Sequence, residues 1–186
     1  MMDDQRHMSP YSLQEKIWRM LWSITQATMF RFSFHTWNRW RIFLLQSYGA
    51  DIDSSCVIRR TVKIECPWNL TIGKNSCLGD SAIVYCLGRV NIGDRVSVSQ
   101  GVHICAGTHD YSHNDMPLLR PPITIENDVW LAADSFVGPN VTIREGAVLG
   151  ARSVAMKNID PWMFYSGNPA VLLKTREKPS CSPNLK

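Results

Sequence analysis

No apolar run in the 186-residue sequence approaches 18 residues, so no segment is long enough to span a bilayer as a helix. Lys and Arg nowhere form a block of five or six, and the net charge is a mild +4, so the footprint of a nucleic-acid-binding protein is missing. The six cysteines (Cys56, Cys66, Cys77, Cys86, Cys105 and Cys181) contain no C-x-x-C pair and no zinc-ligand spacing. The first ten residues, MMDDQRHMSP, carry acids where a secretory signal needs a basic start and an apolar run. Such thiols are expected to stay reduced, in a cytoplasm. With 45% hydrophobic and 19% charged residues the chain is not disordered, and it suits one domain plus a short extra element.

What the sequence has is a repeat. From Ile125 an aliphatic residue or alanine returns every six positions through Leu131, Val137, Ile143, Leu149 and Ala155. The same step runs through Ile92, Val98 and Ile104, through Ile72, Leu78 and Val84, and through Ile52, Ile58 and Ile64. Four residues after each anchor stands a small or β-branched side chain such as Cys56, Ser76, Ala82, Val96, Ser135 or Ala147, with Trp68 the clear exception. A period of six matches neither an amphipathic helix nor simple strand alternation. It matches a prism whose coil has three flat faces of one hexapeptide each: the anchor fills the interior, the small residue fits the corner, and glycine is expected to free the turns. The repeat resembles the hexapeptide-repeat family, and the fold that this implies is an all-β solenoid, a left-handed parallel β-helix of about five coils stacked about 4.8 Å apart.

Interruptions of the repeat locate the rest. Coils beginning at Ile52, Ile72, Ile92, Ile125 and Ile143 are separated by 20, 20, 33 and 18 residues. The first two carry a small corner bulge, and the third ejects an arm, GTHDYSHNDMPLLRPP, over residues 107–122. Before the prism, Leu13, Ile17, Met20, Leu21 and Ile24 follow helical spacing, and Ser12 with Glu15 suits a capping box. A second helix is expected from about His35 to Tyr48, ending at Gly49. Trp18, Trp22, Trp37 and Trp40 lie among Arg19, Arg31, Arg39 and Arg41, which suits either an aromatic cap on the open end of the prism or a peripheral contact with a membrane surface. The expected organisation is a helical cap over 1–50, a β-helix with its arm over 51–160, and a C-terminal segment over 161–186, frayed from Thr175.

Of the five histidines, His109 stands at the root of the arm, and a loop leaning out from a rigid prism reaches the neighbouring subunit. Acyl transfer to an alcohol needs a base, and imidazole is the usual one. The stretches THDY, PITIENDVWLAADSFVGPNVTIREGAVLGARSVAMKNI and GNPAVLLK resemble the galactoside, maltose and nodulation-type O-acetyltransferases. They are more similar still to the colanic acid biosynthesis acetyltransferases, a similarity that also takes in SQGVHICAGTHDY and the stretch ending LLQSYGA. The resemblance implies His109 as catalytic base and acetyl-CoA as co-substrate, with no metal. It places Trp130 near the acetyl-CoA channel, the Ala133 N–H at the thioester carbonyl, and Ala151, Met156, Lys157 and Lys174 along the pantetheine and nucleotide groove. Ala133 stands where the family has serine, Met156 where it has threonine or similar, and Val171 where it has a basic residue. On the acceptor side Asp80 and Tyr85 fall where the galactoside enzymes contact sugar, with different side chains, and Asp110 and His113 could orient His109 or bind a saccharide. The implied assembly is a homotrimer acting on a sugar hydroxyl in polysaccharide biosynthesis.

Other readings share parts of this pattern. N-acetylation of an amino sugar would use the same base. Zinc carbonic anhydrases of the same prism would use three histidines, and His103, His109 and His113 are present, but two lie in the arm and the next coil offers none. Serine acetyltransferases have a much longer helical N-terminal domain, and antibiotic-modifying ones a larger loop. A non-catalytic assembly module needs neither the His-bearing arm nor Trp130.

Overall fold

The computed structural model describes residues 9–178. The acidic N-terminus, His7, Cys181 and the end of the C-terminal tail lie outside the described residues.

Each coil supplies one short strand to each of three parallel sheets. The first coil contains β1 (Asp51–Ile52), β2 (Val57–Ile58) and β3 (Lys63–Ile64), and the second β4 (Leu70–Ile72), β5 (Cys77–Leu78) and β6 (Ile83–Tyr85). The third has β7 (Val90–Ile92), β8 (Ser97–Val98) and β9 (His103–Cys105), followed by an arm with β10 (Thr108–His109) and β11 (Leu118–Leu119). The fourth has β12 (Ile123–Ile125), β13 (Trp130–Leu131) and β14 (Phe136–Val137), and the fifth β15 (Thr142–Ile143), β16 (Val148–Leu149) and β17 (Val154–Ala155). A partial sixth coil adds β18 (Met163–Ser166), parallel to β16, and β19 (Val171–Thr175) folds back antiparallel on it.

The register is the one that the hexapeptide frame predicts: Ile72 pairs with Ile92, Leu131 with Leu149, and Val137 with Ala155. The anchors are buried in columns, and so are the corner residues four positions on, including Cys56, Ser76, Ala82 and Ser135. Glycine works differently from the expectation. The residues with positive φ at the corners are Asn75, Ser81, Arg95, Asp128, Asp134, Asn140 and Arg152, with Gly101 and Gly146. Gly79, directly after an anchor, is needed for closeness instead, because a Cβ there would lie 2.7 Å from the backbone N of Gln100. The two extra residues of the early coils fall at the corner between the third and first sheets, where the 3₁₀ turn Pro67–Asn69 forms and Asn69 donates to the carbonyls of Cys86 and Leu87. The arm leaves at that same corner, one coil later.

The cap consists of α1 (Leu13–Thr25), a π-helical turn (Gln26–Phe30) and α2 (Asn38–Ser47). It satisfies the open edge of the first coil, which would otherwise present unpaired backbone groups. Trp22 Nε1 donates to the Ile64 carbonyl at 2.7 Å, Gln26 accepts from the Ile64 N–H, Asn38 bridges Cys56 and Ile58, and Gln46 donates to Ile52. Trp22, Phe30, Ile42 and Leu45 close the end of the core. One expectation needs correction. Ser12 does cap α1 through the Glu15 N–H, but the Glu15 carboxylate turns to Arg120 instead of completing a capping box. The stripe of Leu13, Ile17, Met20, Leu21 and Ile24 faces outward, and all five are exposed.

The C-terminal segment is held further than expected. The Arg176 guanidinium donates to the carbonyls of Asp128 and Gly146, and its N–H to that of Trp162, so the chain stays anchored past Thr175.

Candidate active site

The arm begins as a short antiparallel hairpin, with His109 opposite Leu118 and Thr108 opposite Leu119. Its root packs tightly, since a Cβ on Gly107 would lie 2.9 Å from the Tyr85 ring. Beyond the hairpin the chain is tied by Asp110 N–H to the Pro117 carbonyl and Met116 N–H to the His113 carbonyl. This turn aims the Met116 carbonyl at His109, whose Nδ1 lies 2.6 Å from it. A carbonyl can only accept, so in the neutral ring Nδ1 carries the proton and Nε2 presents its lone pair. The exposed histidine is therefore held in the tautomer of a base.

The four residues expected on the acceptor side do not converge within one chain. Tyr85 lies beneath the arm's root, partly buried, with burial pushing its phenol up. Asp110 is occupied locally: Ser112 donates to it through both N–H and hydroxyl, which holds its carboxyl below the usual range. His113 faces Asp110 at 3.8 Å rather than His109. Asp80 sits at a different corner, between the second and third sheets, where Thr61 donates to it at 2.6 Å and Arg59 lies 3.7 Å away.

The residues expected along the co-substrate groove fall into three places. Trp130 and Lys174 share a groove of about 590 Å³ on the second sheet, formed by β13, β16, β18 and β19. Trp130 is 45% exposed, and its Nε1 donates to Ser99 at 3.0 Å, which fixes the ring. Ala133 and Ala151 occupy equivalent turn positions one coil apart, and Arg152 N–H donates to the Ala133 carbonyl. No backbone carbonyl among the described residues accepts from the Ala133 N–H, which leaves it a free donor at the prism's edge. Met156 and Lys157 lie across the third sheet in a second depression, with Tyr165 and Pro169.

Three participants were not legible beforehand. Arg176 joins Trp130 and Lys174 in their groove, but nothing local marks it, because its position depends on the β18–β19 hairpin. Ser99 and the Met116 carbonyl act by location alone. A cavity of about 620 Å³ also opens at the foot of the arm, lined by Glu15, Trp18, Tyr48, Trp68, Asn69 and Arg120. No group of three His, Cys, Asp or Glu among the described residues could hold a metal, and His103 packs edge-on against Phe136 within the third sheet.

No family model matches the chain. The Escherichia coli K12 protein named colanic acid biosynthesis acetyltransferase WcaF is 42% identical over 156 residues, 84% of this chain and 86% of that protein. The hexapeptide-repeat acetyltransferase VCA0836 of Vibrio cholerae, crystallised with acetyl-CoA, superposes with a TM-score of 0.81 at 21% identity, covering 92% of this chain and 94% of its own. A galactoside acetyltransferase in complex with coenzyme A gives 0.83 at 22% identity, covering 91% and 86%. The shared architecture is the left-handed parallel β-helix. With the hexapeptide register, the His-bearing arm and this degree of identity to WcaF, the chain belongs to the hexapeptide-repeat acetyltransferases.

Proposed function

We propose that this acetyltransferase uses acetyl-CoA to esterify a saccharide hydroxyl in polysaccharide assembly, with His109 as general base, and that it works as a cytoplasmic homotrimer. The observation that carries the reading is the hydrogen bond between His109 Nδ1 and the Met116 carbonyl. It leaves Nε2 to take the proton of an acceptor hydroxyl as that oxygen attacks the thioester carbonyl. Developing charge on the carbonyl oxygen meets backbone donors, and the free Ala133 N–H is the one proposed. The C–S bond then breaks, and the thiolate leaves and regains a proton. Trp130, Lys174 and Arg176 suit the pantetheine arm and phosphates, as do Ala151, Met156 and Lys157 if the co-substrate runs along the prism. Among the described residues no serine or cysteine is hydrogen-bonded to a histidine, which supports a direct transfer without an acyl-enzyme.

Kinship and the cavity at the foot of the arm support the acceptor class. WcaF is named for colanic acid biosynthesis, which supports a polysaccharide acceptor. The cavity at the foot of the arm offers aromatic faces and paired polar groups, which suit a sugar ring. Asp80, Tyr85, Asp110 and His113 are proposed to meet the acceptor only in an assembly where the arm leans over a neighbouring prism. A C₃ trimer provides that arrangement, and light scattering that finds a stable, active monomer would contradict it.

The deciding experiment follows CoA thiol release on a panel of sugar nucleotides, lipid-linked saccharides and free saccharides, with the product treated with mild alkali. An alkali-labile ester is expected. An alkali-stable amide formed on amino sugars alone would replace this reading with N-acetylation.

A further inference from the structure

We propose that the outer face of the N-terminal cap docks on an anionic phospholipid bilayer and holds the enzyme at a membrane surface. At about 100° per residue, Leu13, Ile17, Met20, Leu21 and Ile24 fall within roughly a 100° arc of α1, on the side opposite the buried Trp22. Among the described residues that arc has no partner, with Leu13 75% exposed. The segment after the π-helical turn adds further exposed apolar side chains: Phe32 and Phe34 are 79% and 68% exposed, and the Trp37 ring lies 5.2 Å from that of Phe34.

These aromatics are presented by construction rather than left over. Arg41 is buried, and its guanidinium meets no carboxylate among the described residues. It donates to the Ser33 hydroxyl and the carbonyls of Phe34, His35 and Ile58. A buried cation spent on carbonyls fixes the 33–35 turn to the first coil, and so fixes Phe32 and Phe34 outward on either side of buried Ser33.

Charge selects the occupant. Residues 13–47 contain five Lys or Arg and one carboxylate, Glu15. Glu15 is paired with Arg120, Arg19 with Glu65, and Arg41 is buried, which leaves Lys16, Arg31 and Arg39 as the exposed cations of the cap. A second copy would bring the same cations to the contact and be repelled. An anionic bilayer accepts both components, with the apolar arc at the acyl boundary and the cations at the headgroups. No helix among the described residues is long and apolar enough to cross a membrane, so the contact is peripheral.

The test is co-sedimentation of the full-length protein with phosphatidylcholine vesicles, with and without about 30% phosphatidylglycerol. Binding is expected only with phosphatidylglycerol, weakened at roughly 0.5 M salt. The F32S/F34S variant should bind at least about tenfold more weakly, and I17Q/I24Q is a second variant should the first fold poorly. K16E/R31E/R39E should lose the preference for phosphatidylglycerol. Wild-type protein that stays in the supernatant with anionic vesicles at low salt overturns the proposal. So does a patch variant that shrinks the assembly in light scattering while vesicle binding is unchanged, since the occupant is then a second copy. Neither readout depends on the acceptor or on His109, so the docking and the catalytic reading fail separately.

Discussion

In the prism, Ile104 is wholly buried between anchors of the coils on either side, paired on one side through Val84 and on the other through Val137. In the cap, Ile17 and Phe32 have as large an apolar surface and face outward. The repeat explains the contrast. Stacked coils set every anchor's neighbours from two directions, so a hexapeptide position has one environment and little latitude. The cap touches the prism only along one edge, and its other side is unconstrained by the core. The arm is likewise outside the repeat. The proposed base and the proposed docking face thus both lie where the period breaks, and the buried columns lie where it holds.

The sharpest break of that comparison is His109→Asn. It should lower turnover by about two to four orders of magnitude, as loss of a general base does, while the thermal midpoint stays within about a degree of wild type. His113→Ala should cost far less. Near-normal turnover in His109→Asn would remove the base from the arm altogether.

The reverse pattern is expected inside the prism. Gly79→Ala places a methyl carbon 2.7 Å from backbone atoms of the next coil, where no side chain can rotate away. It should cost about 1–3 kcal/mol and lower the midpoint by roughly 3–10 °C, with catalysis in the folded fraction little changed. A neutral Gly79→Ala would mean that the coils can spread, and that closeness is not why glycine follows the anchor.

At the seam between the two regions the effect should be smaller. Trp22→Phe removes the donor to the Ile64 carbonyl while keeping an aromatic ring over the first coil. A loss of about 1–2 kcal/mol by urea denaturation is expected, and no loss would mean that the cap contributes burial but not edge satisfaction.

The same division explains what could be read in advance. Register, coil boundaries and the arm's position were legible because each rests on a period of six recurring through most of the chain. The place of His109 at the arm's root was legible, but its contact with the Met116 carbonyl was not, since a turn's carbonyl direction leaves no trace in side-chain order. The direction of the α1 stripe could not be read either: helical spacing marks a face, and the Ile64 edge groups, taken by Trp22 and Gln26, turn the opposite face inward. Glycine was assigned the wrong task for a related reason. Sequence cannot separate a residue needed for positive φ from one needed for closeness, and here Asn, Asp, Ser and Arg take most of the positive φ.

The smallest effect concerns two thiols that the frame brings together. Cys66 and Cys86 follow their anchors by two residues in consecutive coils, and Cys66 N–H donates to Cys86 Sγ at 3.3 Å. Both are free and buried, and burial pushes each thiol up to about 12 from an ordinary value of 9. The thiolate is the reactive form, so neither should be alkylated by iodoacetamide at pH 8 in the folded protein, and both should be after denaturation. Cys77 is half-buried and serves as the contrast within the same coil as Cys86. The linkage has a definite sign. The folded state holds these protons more tightly than the unfolded chain, so their contribution is fully present below pH 9 and is lost as pH rises from about 9 to 12. A C66A/C86A variant, which cannot titrate there, should show a shallower loss of stability across that window. Mass spectrometry that finds Cys86 modified in the native protein at pH 8 would show that the second and third coils open locally, and the contrast between a closed prism and an open cap would then fail at its firmest point.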